Sequence, residues 1–170
     1  MGVVGGHTFD IAASLRAVLD TSVLVSNERH WLWLYAHDRY YEAVWSPIIV
    51  AELVRVRVRL ASRQGVEETV QRRRIYNLIH QLSDVLTVAD YRSILLDRIL
   101  SDPDDDPVLA TALASGARYV VSLNTKHFPP SDTSMHVRFV TPADFLTVLD
   151  ELYPDANLKG RVDAIGKQLP

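Results

Sequence analysis

The 170-residue sequence contains no cysteine. No disulfide can staple the chain, and no thiolate can hold zinc or an iron–sulfur cluster, so any bound metal must be held by oxygen or imidazole. Long apolar runs are missing as well: nothing approaches the roughly 20 residues that a membrane-spanning helix needs. The opening stretch, MGVVGGHTFDIAASL, lacks the basic start and continuous apolar core of a secretory signal. The expected setting is therefore soluble and cytoplasmic, with no membrane partner. Positive charge is not in excess either. Eighteen Lys and Arg stand against 21 Asp and Glu, for a formal net charge of −3, which argues against a globally basic nucleic-acid binder and leaves room only for a local basic face.

What is present suits one compact domain, because 48% of the residues are apolar and the length is that of a single hydrophobic core. Residues 1–15 are glycine-bearing and weakly patterned and read as an extension; residues 16–150 carry the periodic segments; 151–170 read as a C-terminal tail. RAVLD is a short buried strand ending at Asp20, with Thr21 and Ser22 as the turn or helix cap behind it. ERHWLWLYAHDRYYEA has helical spacing, and EAVW suits a second strand. Ser46-Pro47 opens a helix, with serine as N-cap and proline at the first helical position. In the segment that follows, Arg55, Arg57 and Arg59 alternate with Val54, Val56, Val58 and Leu60 in strand fashion, but the Ser-Pro opening, the length and Gly65 as a stop favour helix. EETVQRRRIYNLIHQLSD predicts a helix with Val70, Tyr76 and Ile79 to Leu82 on its apolar side. VLTV reads as a strand, Tyr91–Leu100 and Pro107–Ser115 as helices, ARYVVSL as a buried strand, and Thr141-Pro142 as the opening of a last helix. Strands alternating with helices indicate an α/β sandwich with a parallel sheet.

Three acidic positions stand out. Asp20 falls at a strand's carboxyl end, where open parallel sheets bind ligands. Glu52 shares a helix face with Ile49, Leu53, Val56 and Leu60, so the period that buries those residues turns a carboxylate inward, where it needs a partner. Asp102, Asp104, Asp105 and Asp106 crowd the start of the Pro107 helix, with Asp106 fitting its N-cap. Each has a plain structural explanation: a turn residue, a partner for Arg55 or Arg59, a complement to a helix dipole. Four aspartates together are harder to explain that way, because like charges about 5 Å apart at an effective dielectric near 20 repel by roughly 3 kcal/mol per pair. A hard divalent cation such as Mg²⁺ or Mn²⁺ is the economical counter-charge in a chain without cysteine.

Four segments in this order, VLDTSVLVS, SPIIVAELVRV, DPDDDPVLATALASGARYVVSLNTKHF and VTPADFLTVL, resemble the successive signatures of PIN-domain ribonucleases, most closely VapC-type toxins, across about Arg16 to Asp150. The resemblance implies a three-layer α/β/α sandwich with a central, mainly parallel sheet, and a Mg²⁺- or Mn²⁺-dependent endoribonuclease. It implies Asp20, Glu52 and Asp105 as catalytic metal ligands. Asp102 matches a further acid, and Asp104 and Asp106 remain alternatives to Asp105. Ser22, Ser122, Asn124 and His127 would orient water or substrate. Asn124 stands where many relatives carry aspartate; asparagine supplies no charge for a second metal, and this departure leaves open a non-cleaving module that binds RNA or protein.

The partners implied are an RNA substrate, a cognate antitoxin and a second copy in a homodimer; an RNA-processing nuclease without an antitoxin is the alternative. Arg55 and Arg59, flanking Glu52, are the expected contacts to RNA phosphates. Arg72, Arg73 and Arg74 are either a second basic cluster or a solvated face paired with Glu67 and Glu68. The HWLWLYAHDRYY segment is expected at an interface. A phosphoacceptor domain would want an acidic pair where Asp20 stands alone, and a haloacid dehalogenase-type phosphatase would want aspartate at Ser22.

Overall fold

A computed structural model describes residues 15–83, 86–88, 106–127 and 136–166. The helix expected over Tyr91–Leu100, the acids Asp102, Asp104 and Asp105, and residues 1–14 lie outside the described residues. Five strands, β1 (Arg16–Leu19), β2 (Glu42–Trp45), β3 (Leu86–Val88), β4 (Tyr119–Val121) and β5 (Arg138–Val140), form one sheet in the order β3-β2-β1-β4-β5. Every pairing is parallel; Val18, for example, faces Val44 on one side and Val120 on the other. Adjacent residues on a strand point to opposite faces. Ala17 and Val18, like Ala43 and Val44, are all fully buried, so both faces of the sheet are covered, as expected for an all-parallel sheet between helical layers.

The helices are α1 (Thr21–Leu24), α2 (Arg29–His37), α3 (Pro47–Arg63), α4 (Glu68–Ser83), α5 (Asp106–Ser115), α6 (Pro142–Leu152) and α7 (Leu158–Gly166). The local punctuation works as the residue types dictate. Pro47 and Pro142 occupy first turns, and Thr141 Oγ1 accepts from the Asp144 N–H at 3.1 Å. Gly65 and Gly116, at φ +66° and +67°, end α3 and α5 in left-handed conformation. At each, the following N–H reaches back five residues, Val66 to Ala61 O at 3.0 Å and Ala117 to Ala112 O at 2.9 Å, which is the helix-closing pattern that glycine permits without strain.

Four local expectations need correction. On α4 the buried positions are Gln71, Ile75 and Leu82, while Val70 and Tyr76 are 41% and 67% exposed. Gln71 holds its inward place by donating Nε2–H to Arg57 O at 3.1 Å, so hydrogen bonding rather than hydropathy sets that face. The α5 helix starts at Asp106, one residue before Pro107. A short strand, β5, precedes α6, and a further helix, α7, follows where α6 was expected to be the last element. Finally, Trp31, Tyr35, Ala36 and Tyr41 of the aromatic segment are buried in the chain's own core, so they are not offered to a partner.

Tyr35 Oη donates to Leu158 O at 2.6 Å, and Leu158 itself is fully buried. Arg161 of α7 bonds Asp38 at 2.8 Å and lies over the rings of Tyr35 and Tyr40, 5.2 and 5.8 Å from their centroids. These contacts fasten α7 to α2. Among the described residues no helix is long and apolar enough to cross a membrane.

Candidate functional site

The sheet order reverses direction between β1 and β4: strands β2 and β3 are added on one side of β1, and β4 and β5 on the other. Such a switch point opens a crevice at the strands' carboxyl ends. Asp20 and Ser122 are the first residues beyond β1 and β4, so the register that pairs Leu19 with Val121 sets them side by side. The ladder continues through them, with Asp20 N–H donating to Val121 O at 3.1 Å and Ser122 N–H to Val140 O at 3.0 Å.

Asp20 is the most heavily hydrogen-bonded group there. Its Oδ1 accepts the Thr21 N–H at 2.8 Å, capping α1. Its Oδ2 accepts the Ser22 hydroxyl at 2.6 Å and the Ser122 hydroxyl at 2.8 Å. The two serine oxygens are 3.2 Å apart. A hydroxyl has one proton, and both are directed to the carboxylate, so neither donates to the other. Each serine in turn accepts a main-chain N–H at 3.0 Å, Ser22 from Leu123 and Ser122 from Asn124.

Glu52 reaches the same place from α3. Its Oε2 accepts the Thr21 hydroxyl at 2.9 Å, and Thr21 is 3% exposed. The Ile49 carbonyl lies farther from that hydroxyl, at 3.5 Å, so the single proton goes to the carboxylate. Ile49 and Leu53, on either side of Glu52, are buried and clamp its turn of α3 against the core. The inward glutamate thus has a threonine partner, and consecutive residues 20 and 21 tie both carboxylates to one turn. Sequence reasoning took Thr21 for a turn or helix-cap residue; its β-branched side chain behind a buried strand carries no signal for a hydrogen bond 31 positions away. It also missed Thr111, whose hydroxyl bonds the buried Ser46 Oγ at 2.8 Å. Ser46 therefore holds the N-cap position without capping by its side chain; its hydroxyl fastens the start of α3, and so Glu52, to α5.

Ser22, Ser122 and the Asn124 backbone are thus gathered around Asp20, with Glu52 beside them. His127 ends a 3-10 turn, Thr125–His127, that follows Asn124. Asp102 and Asp105 lie outside the described residues, and α5, which begins at Asp106, packs against β1, β2 and β4. Among the described residues no group of three or more acidic, histidine or cysteine side chains could hold a metal. The donors that are present are all oxygens, a set that suits a hard divalent cation. Arg55 and Arg59 are exposed on α3. Arg72 pairs with Glu68 at 2.6 Å, the arrangement expected of a solvated face, whereas Arg74 lines a cleft between α2, α3 and α4.

Comparison with known proteins agrees with this fold. No curated protein matches the chain. A family profile, described as PIN domain, matches residues 16–126, from the first residue of β1 through the turn beyond Ser122 and Asn124. That span is more than half of the sequence and contains both carboxylates and the switch point, and the chain accordingly belongs to the PIN-domain family.

Proposed function

We propose that the chain is a metal-dependent endoribonuclease in which Asp20, Glu52 and Asp105 hold Mg²⁺ or Mn²⁺. PIN domains are generally nucleases, commonly metal-dependent ribonucleases. The observation that carries the finer reading is the link Asp20–Thr21–Glu52: a carboxylate at the end of β1 and another from α3, 31 residues away, share one buried turn at the switch point. When bound, the ion would activate water and neutralise charge on the phosphodiester under attack. The protein's part is positioning. Ser22 and Ser122 fix the Asp20 rotamer and Thr21 fixes Glu52, and Asn124 and His127 would orient water or phosphate. Asp102 would supply a further acid, and Arg55 and Arg59 would meet RNA phosphates from the exposed side of α3.

The four-segment resemblance further supports a toxin whose activity a cognate antitoxin restrains, acting in the cytoplasm, with a homodimer as its assembly. Cleavage of RNA in Mg²⁺ or Mn²⁺, its loss in EDTA, and its loss in Asp20→Asn and Glu52→Gln test the enzyme reading; wild type and variants that behave alike defeat it. Asp105→Asn, compared with Asp102→Asn and Asp104→Asn, identifies the third ligand. Growth arrest on expression, relieved by the product of an adjacent reading frame, tests the antitoxin.

A further inference from the structure

Three arginines and a histidine converge on a cleft between α2, α3 and α4 that, among the described residues, no carboxylate lines. Its volume is about 800 Å³, within the range of small-molecule sites. Arg29 and His30 enter from the first turn of α2, Arg57 from α3 and Arg74 from α4, and Trp33, half-buried, forms part of the wall. Helical geometry sets Arg57 about 140° around α3 from Glu52 and about 7.5 Å along it. The cleft is therefore separate from the Asp20 site.

The cations are held there at a cost. Arg57 is half-buried, its Nε is shielded from solvent without a hydrogen-bond partner, and Gln71 pins its backbone in place. Burial lowers the proton affinity of Arg57 and Arg29, and Arg57 lowers that of Arg29 further. His30 is pushed below its ordinary value, first by burial and then by Arg29 and Arg57. Like charges gathered in a partly desolvated place without a counter-ion among the described residues call for an anion. Beside the charges stand an indole and apolar groups, Leu60 and Leu78, together with side-chain amides. A plain inorganic anion would leave that surface unused, and an extended acidic peptide has no flat group for the indole.

We propose that the cleft binds a nucleoside phosphate, its phosphate between Arg29 and Arg57 and its base along Trp33. The ligand is either a free nucleotide or one nucleotide of an RNA strand, and the proposal does not rest on the nuclease reading. The test uses the full chain carrying Asp20→Asn, so that RNA stays intact. The His30 imidazole is followed by NMR, and affinity by calorimetry, on titration with 5′-AMP, a single-stranded RNA tetramer, inorganic phosphate and an acidic hexapeptide. Binding is expected to raise the His30 titration midpoint. Arg57→Gln and the exposed Arg74→Gln are each expected to weaken it about tenfold, while Arg118→Gln, outside the cleft, leaves it unchanged. Arg74→Gln keeps the test intact if loss of the half-buried Arg57 upsets folding. A His30 response to AMP identifies a free nucleotide; a response to the tetramer alone identifies a strand; either supports the site. No response to AMP or RNA at millimolar concentration, a response to the peptide or phosphate only, or binding indifferent to Arg74→Gln overturns it.

Discussion

Replacing Ser122 by alanine separates positioning from mere packing at the candidate site. The substitution removes one of the two hydroxyls that donate to Asp20 Oδ2 and leaves the Asn124 N–H without its acceptor. A hydrogen bond to a charged group contributes about 1.5–3 kcal/mol. Here the loss is tempered because Ser22 still donates to the same oxygen and Asn124 is exposed, so water can take over its N–H. The expected destabilisation is about 1–2 kcal/mol, or about 2–8 °C in Tm for a chain of this size, small enough to leave the protein folded. Activity should suffer more. Groups that orient a metal ligand are worth 10–100-fold in metal affinity or rate, so the Mg²⁺ concentration giving half-maximal RNA cleavage should rise by about that factor. The assay is cleavage of a fluorescent RNA across a Mg²⁺ series, paired with thermal unfolding. If Tm falls while the Mg²⁺ dependence stays where it was, the two serines merely tie β4 to β1 and the reasoning about Asp20 is refuted. In the double variant with Ser22→Ala, the losses should fall short of additive, because both hydroxyls hold one oxygen in one rotamer.

Tyr35→Phe should destabilise by about 0.5–1.5 kcal/mol in urea unfolding, since it removes the hydroxyl that bonds the buried Leu158 carbonyl at the head of α7; an effect near zero would mean that α7 is not fastened at this point. Gly116→Ala should cost about 1–2 kcal/mol from its φ of +67° alone, as a Cβ there meets nothing within 4 Å, and Gly116→Asn should cost less. Folded His30 binds its proton more weakly than the unfolded imidazole, so acidification favours unfolding. Its contribution is nil well above the ordinary value of 6.5, grows as pH falls through it, and levels off below the folded value. Urea midpoints at pH 7.5 and 5.5 should therefore drop less in His30→Gln than in wild type; equal drops would refute this.

Much of the fold can be read locally because its boundaries are set by residues that act on their own backbone. Pro47 and Pro142 start helices, Gly65 and Gly116 stop them, and the paired runs Ala17–Leu19 and Ala43–Trp45 are apolar on both faces, which only a doubly covered sheet requires. What could not be read is set at long range. Gln71 is buried because the Arg57 carbonyl waits for it, and Ser46 leaves its cap because Thr111 is in reach. Strand β5 is as short as β4 but starts on the exposed Arg138 and is only half-buried, so it lacks the apolar run that marks β4. The acids Asp20 and Glu52 could be singled out by position and period, and Ser122 by the resemblance, but the bonds that Thr21 and Ser122 make to the two acids could not be foreseen, because β1 and β4 are neighbours through an order of strands that no local pattern contains.

That order also explains why the carboxylates are held so firmly. The proton of each serine is committed because the main chain beyond β4 occupies the serine's lone pair, through the Leu123 and Asn124 N–H groups. The main chain is committed in turn because the ladder runs on through Ser122 to Val140. Orientation thus passes from the sheet to the amides, from the amides to the hydroxyls, and from the hydroxyls to Asp20, while the buried Thr21 does the same for Glu52. A carboxylate has about four lone-pair positions, and the described donors occupy three on Asp20 and one on Glu52. Vacant acceptor positions therefore remain on rotamers fixed during folding, so the entropic cost of arranging them is not charged to the ligand. The hydroxyls serve a cation better than arginine or lysine would at the same places: they orient the carboxylates without cancelling the charge on which cation affinity depends.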